Sequence, residues 1–122
     1  DLVVIDPLGL NDYITSRIEL DHRGRPGHEK IAPPAWFQVR YPPGKGMIIR
    51  QQLGGAISRP PTPEELDAAR RTLESPELSA LRHAVTAPLT PRLFLANVAA
   101  AYRYSTIRIP PDPISAARQF DQ

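Results

Sequence analysis

The sequence predicts a mostly helical α/β fold, with short strands in the first half and about four proline-initiated helices after residue 61. Three observations carry this. Proline is used 15 times in 122 residues, well over twice the usual share of roughly 5%. Five of those prolines directly follow a residue whose side chain can cap a helix: Asp6-Pro7, Thr62-Pro63, Ser75-Pro76, Thr90-Pro91 and Asp112-Pro113. An oxygen on the capping side chain accepts from the free amides of a first turn. Proline at the next position gives up an amide that had no partner there. Finally, Leu2-Val3-Val4-Ile5 is a compact β-branched run closed by Asp-Pro, the pattern of a short buried strand.

The second half divides into four helices. Thr62-Pro63-Glu64-Glu65 is a capping box, since Glu65 stands three residues after the cap. The helix it starts runs to about Glu74, with Leu66, Ala69 and Leu73 on one face and Asp67, Arg70, Arg71 and Glu74 on the other. A second, from about Pro76 to Ala87, repeats the spacing with Leu78, Leu81 and Val85. The third, about Pro91 to Tyr104, is the most apolar of the four. Leu93, Phe94, Leu95, Val98 and Tyr102 mark it as the central buried helix, with Ala99–Ala101 as a close-packing patch and Tyr104 at the rim. The last, Pro113 to Phe120, docks through Ile114, Ala117 and Phe120.

The first half is punctuated differently. After the strand, Leu8–Asp12 forms a turn, and Asn11 or Asp12 caps a helix reaching about Leu20. Residues 21–34 form a polar loop, Ala35–Tyr41 gives one or two helical turns, and Pro42–Gly46 is a tight turn. Met47–Leu53 fits strand or helix equally. Pro60-Pro61 is a joint inside one domain spanning 1–122. The opening Asp1, running straight into apolar residues without Met, reads as an excised segment of a longer protein.

Composition narrows the function. The net charge of +2 is too small and too dispersed for a nucleic-acid partner, which needs several clustered cations. Arg23-Gly24-Arg25-Pro26 matches the core of a minor-groove hook, but Asp21 and Glu29 flank it and no second basic tract supports it. No stretch of about 18 apolar residues spans a membrane. His22, His28, Glu29 and His83 match no compact metal-ligand spacing, and the chain has no Cys. No Gly-x-Ser-x-Gly or triad context marks a nucleophile, so no catalytic residue is assigned. Asp12, Asp21 and Glu29 have the chemistry of a general base, but a cap or loop carboxylate accounts for each.

The densest functional segment is Arg23–Lys30. Gly24, Pro26 and Gly27 fix its backbone path, and Arg23, Arg25, His28 and Lys30 surround the single carboxylate of Glu29. Glycine permits close approach of backbone amides to an anion, and arginine offers a planar fork. The candidate substrate-binding residues are therefore Arg25, His28, Glu29 and Lys30, in a loop for phosphate or sugar. The alternative is a solvated loop whose charges pair among themselves. Trp36, the only Trp, joins the candidates as a ring on which a sugar face stacks. Its alternative is a buried anchor holding the loop to the core.

Three stretches together resemble a known family: Val4-Ile5-Asp6-Pro7-Leu8-Gly9-Leu10-Asn11-Asp12; Arg25–Lys30 with Pro34 and Trp36; and Ile107–Pro113 with Ala116, Ala117 and Phe120. Pro88–Asn97 fits between them. The chain is similar to the C-terminal extracytoplasmic domain of multi-pass GT-C glycosyltransferases, closest to the actinobacterial terminal arabinofuranosyltransferases of arabinogalactan and lipoarabinomannan synthesis. The resemblance implies a parent enzyme at the periplasmic face of the plasma membrane. It implies decaprenyl-phosphate arabinose as donor, arabinan as acceptor, the parent's own transmembrane domain as partner, and no cofactor within this segment. The catalytic base is expected in the membrane portion, leaving this segment inactive alone. Relatives often carry a Phe-Cys ending and an upstream Cys. Here Asp121 follows Phe120, so packing alone must hold the C-terminal segment. A non-catalytic carbohydrate-binding or scaffold module is the alternative function.

Overall fold

The computed structural model describes residues 12–19, 32–41 and 59–121. The strand expected at Leu2–Ile5, the Asp6 cap and the ambiguous Met47–Leu53 lie outside the described residues. Five α-helices are described: α1 (Pro34–Arg40), α2 (Pro63–Glu74), α3 (Pro76–Thr86), α4 (Pro91–Thr106) and α5 (Pro113–Phe120). Among the described residues there is no named strand, only a parallel bridge between Ile18 and Ile109.

The four proline-led helices start where the caps place them. Thr62 Oγ1 accepts from the Glu65 amide at 3.2 Å, and the Glu65 carboxylate accepts from the Thr62 amide at 2.7 Å, closing the box. Thr90 accepts from the Leu93 amide and Asp112 from the Ser115 amide, at 3.1 and 2.9 Å. Ser75 serves twice. It ends α2 and caps α3 through the Leu78 amide, so the two helices turn on a single residue.

α2 is the hub, packing most extensively against α5, then α1, then α3. The reason is side-chain size. Ala68, Ala69 and Thr72 of α2, and Ala116 and Ala117 of α5, are all buried, and small residues let two helix backbones approach closely. The buried Thr72 hydroxyl is satisfied by the Ala68 carbonyl at 2.9 Å. The core cluster takes Ile14 and Ile18, Ala32, Ala35 and Trp36, Ala69, Leu78 and Leu81, Ile107 and Ile109, and Ala116. Leu66, Leu73 and Phe120 pack against it from the faces expected. This packing includes the C-terminal segment, with no disulfide among its means.

Four expectations are corrected. The helix from Asp12 to Leu20 is instead a single 3-10 turn, Thr15–Arg17, after which Ile18 is extended. Two backbone hydrogen bonds explain the stop: Ile109 donates to the Arg17 carbonyl and Glu19 to the Ile109 carbonyl, at 2.9 and 2.8 Å. Those bonds replace the next helical turn. α4 is not the central helix: none of its residues is buried, and Phe94, Leu95, Val98 and Tyr102 stand exposed. Leu93, Asn97, Ala100 and Tyr104, on the opposite side, are only half-buried. In the Ala99–Ala101 patch, Ala99 and Ala101 are exposed as well. Val85 of α3 is exposed too, leaving Leu78 and Leu81 as the buried pair of that helix.

α4 is held mainly through α3. Asn97 donates to the Ala84 carbonyl at 2.9 Å. At the other end, Arg17 Nε donates to the Tyr104 carbonyl at 3.1 Å, a cation at a helix C-terminus where carbonyls lack partners.

Candidate functional site

Of the candidate residues, Arg25, His28, Glu29 and Lys30 lie outside the described residues. What is described is the framework on either side of that segment, Asp12–Glu19 before it and Ala32–Tyr41 after it.

Trp36 is 0% exposed. Its indole N–H donates to the Pro111 carbonyl at 2.9 Å, which ties α1 to the residues leading into α5. The side chain belongs to the core cluster, so the Trp36 in this structure is the anchor rather than an open stacking platform. Pro34 at the first helical turn and the buried Ala32 and Ala35 seat the same stretch. The chain a few residues after Lys30 is therefore fixed to the core.

Asp12 fixes the other side. Its Oδ1 accepts from the amides of Ile14 and Thr15 at 2.9 and 2.7 Å, closing the turn that leads into the 3-10 segment rather than capping the longer helix expected. The same carboxylate receives Arg40 Nη1 at 2.9 and 2.7 Å on its two oxygens. Both side chains are nearly enclosed, at 8% exposure for Asp12 and 10% for Arg40. Burial pushes the Asp12 carboxyl upward. The Thr15 amide, the Arg40 charge and hydrogen bond, and the Ile14 amide outweigh it, and the group titrates below its usual range.

Arg40 is itself positioned from its own helix. Its Nε donates to the Trp36 carbonyl at 3.1 Å, and its guanidinium lies 5.7 Å from the Phe37 ring and 5.4 Å from the Tyr41 ring, within cation–π range. Arg40 Nη2 and Thr15 Oγ1 are buried with no hydrogen-bond partner among the described residues. Tyr13 beside them is pushed above its usual range by burial, which the charges of Arg40 and Arg82 only partly offset. Composition alone gives no sign that Asp12 and Arg40 meet. The one legible clue is Asp12 as a cap.

The Asp12–Arg40 pair is a structural clamp. A carboxylate that accepts from two amides and a guanidinium, nearly enclosed and titrating below its usual range, has little basicity. His83 is exposed on α3, and no group of three or more potential metal ligands occurs among the described residues. Trp36 and the Asp12–Arg40 clamp thus tie the described stretches 12–19 and 32–41 to each other and to the residues before α5. Among the described residues no helix is long and apolar enough to cross a membrane.

No curated protein and no solved structure matches the chain. A family model described as the AftB family C-terminal domain matches residues 1–119, nearly the full length, and the chain therefore belongs to this family of arabinofuranosyltransferase C-terminal domains.

Proposed function

We propose that this chain is the extracytoplasmic C-terminal domain of a GT-C membrane enzyme. That enzyme transfers arabinofuranose from decaprenyl-phosphate arabinose to cell-wall arabinan, on the periplasmic side. The observation that carries the reading is the family match over residues 1–119. In the transfer, a base of the parent's membrane portion takes the proton of an arabinan hydroxyl. That oxygen bonds to the anomeric carbon, and the decaprenyl phosphate leaves with the electron pair of the broken bond. The acceptor and the membrane portion are the partners of this domain, and no cofactor is assigned to it.

Within that scheme the segment Arg25–Lys30 binds substrate. Arg25 and Lys30 carry the charge for phosphate or for sugar hydroxyls, while His28 and Glu29 supply further hydrogen-bonding groups. Trp36 serves by anchoring the chain just beyond Lys30. A charge-assisted hydrogen bond contributes about 1.5–3 kcal/mol. Arg25→Ala with Lys30→Ala in the full-length enzyme is therefore expected to lower kcat/KM by tenfold or more, roughly. Steady-state kinetics with donor and acceptor varied separately read which substrate the loop holds. Unchanged constants for both would remove the loop from the site.

A further inference from the structure

The exposed face of α4 is at odds with an ordinary solvated helix. Phe94, Leu95, Val98 and Tyr102 are 54–83% exposed, and Phe94, Val98 and Tyr102 follow the four-residue spacing of a single stripe. Leu89, in the connection from α3, is exposed beside it. Soluble monomers rarely leave such residues contiguous without a partner surface.

The charge pattern says which surface. From Leu78 to Pro111 the chain has no Asp or Glu, although it contains Arg82, Arg92, Arg103 and Arg108. All 13 acidic residues lie elsewhere. Arg92 and Arg103 are both exposed and stand three turns apart, on one edge of the apolar stripe. An apolar stripe bordered by arginine and free of carboxylates is the arrangement of a helix lying in the headgroup region of an anionic bilayer. The stripe enters the acyl boundary there, and guanidinium forks meet phosphate. Tyr102 has an apolar ring and a polar tip, which suits that depth. A second copy is disfavoured by the same pattern, because two-fold pairing of α4 would set arginine edges against a helix with no carboxylate. At about 24 Å by helical rise, α4 is too short to span the roughly 30 Å hydrocarbon layer, so it lies in the plane.

We propose that α4 seats this domain on an anionic phospholipid surface, through Phe94, Leu95, Val98 and Tyr102, with Arg92 and Arg103 on headgroup phosphates. The inference stands on α4 and does not rest on the transferase reading.

The test is co-sedimentation of the 122-residue chain with phosphatidylcholine vesicles containing about one-third phosphatidylglycerol, against vesicles of phosphatidylcholine alone. The chain is expected to sediment with the anionic vesicles, and raised salt is expected to release it. Phe94→Gln with Leu95→Gln should weaken partitioning by about tenfold or more. Arg92→Ala and Arg103→Ala should each weaken it by about fivefold. These residues are exposed, so the emission of the buried Trp36 should not change, which certifies the fold. Absence of binding, equal binding to neutral vesicles, or full binding by the Gln variant would each overturn the proposal. So would a concentration-dependent dimer lost in the Gln variant, which assigns the face to a second copy. Capture of the separately produced membrane portion without vesicle binding would overturn it too, assigning the face to the parent.

Discussion

Trp36→Ala is expected to destabilise the domain by about 3–5 kcal/mol. The ring is wholly enclosed and belongs to a cluster drawn from the residues flanking the 3-10 turn, from α1, α2 and α3, and from α5 with the segment before it. Truncation leaves a cavity that neighbouring helices cannot all close, because α2 and α5 are already in contact through alanines. It also strands the Pro111 carbonyl, which accepts the indole N–H at 2.9 Å. Small domains have total stabilities of about 5–15 kcal/mol, so this loss brings the fold near its limit. Trp36→Phe should cost less, since most of the apolar volume is kept and the hydrogen bond is the main loss. Urea denaturation followed by far-ultraviolet circular dichroism measures both. A loss below about 1 kcal/mol for Trp36→Ala would mean the ring is not the anchor described.

The second large effect is expected at Asp12. Removing one partner of a buried ion pair typically costs about 3–5 kcal/mol, because the remaining charge is left enclosed and uncompensated. Asp12→Ala leaves Arg40 in that state and frees the amides of Ile14 and Thr15. Asp12→Asn, which keeps an acceptor for the amides, should recover part of the loss.

The same site sets a pH dependence. Asp12 titrates below its usual range in the folded domain. Glu65 is lowered to about 2 by the Arg59 hydrogen bond, then by the Thr62 amide. A carboxylate whose folded pKa is depressed contributes stability that is complete above its unfolded pKa, near 4. That contribution is lost as pH falls through the folded value. Stability should therefore decline from about pH 5 downward, and decline less steeply in Asp12→Ala. Identical slopes in the two proteins would show that Asp12 is not held ionised by its neighbours.

What the sequence discloses about this fold is what short-range chemistry decides. Thr62, Ser75, Thr90 and Asp112 start their helices within one turn, using groups adjacent in the chain, and all four are readable as caps. Ile18 is different. Whether it continues a helix depends on Ile109, brought beside it only by the assembled fold. α4 shows the same limit in another form. Its apolar content is visible, but apolarity does not say whether the surface it meets belongs to the same chain. Ala68, Ala69, Ala116 and Ala117 carry little hydrophobic signal, and yet their small size lets α2 and α5 approach.

At the site, Asp12 is legible as a cap while its partner Arg40 is not, because the pair is joined across the fold. Trp36 is legible as a choice between anchor and platform. Burial and the Pro111 carbonyl place it as the anchor. The Arg25–Lys30 segment is proposed from composition, its glycines and clustered cations, and lies outside the described residues.

The central claim is that this domain serves an arabinofuranosyltransferase. The most direct measurement uses membranes containing the full-length parent, incubated with decaprenyl-phosphate arabinose labelled in the sugar and an arabinan oligosaccharide acceptor. Labelled arabinose joined to the oligosaccharide is expected, with decaprenyl phosphate released in equal amount. Absence of transfer from a correctly folded parent, while a non-arabinose polyprenyl-phosphate sugar is consumed, would contradict it.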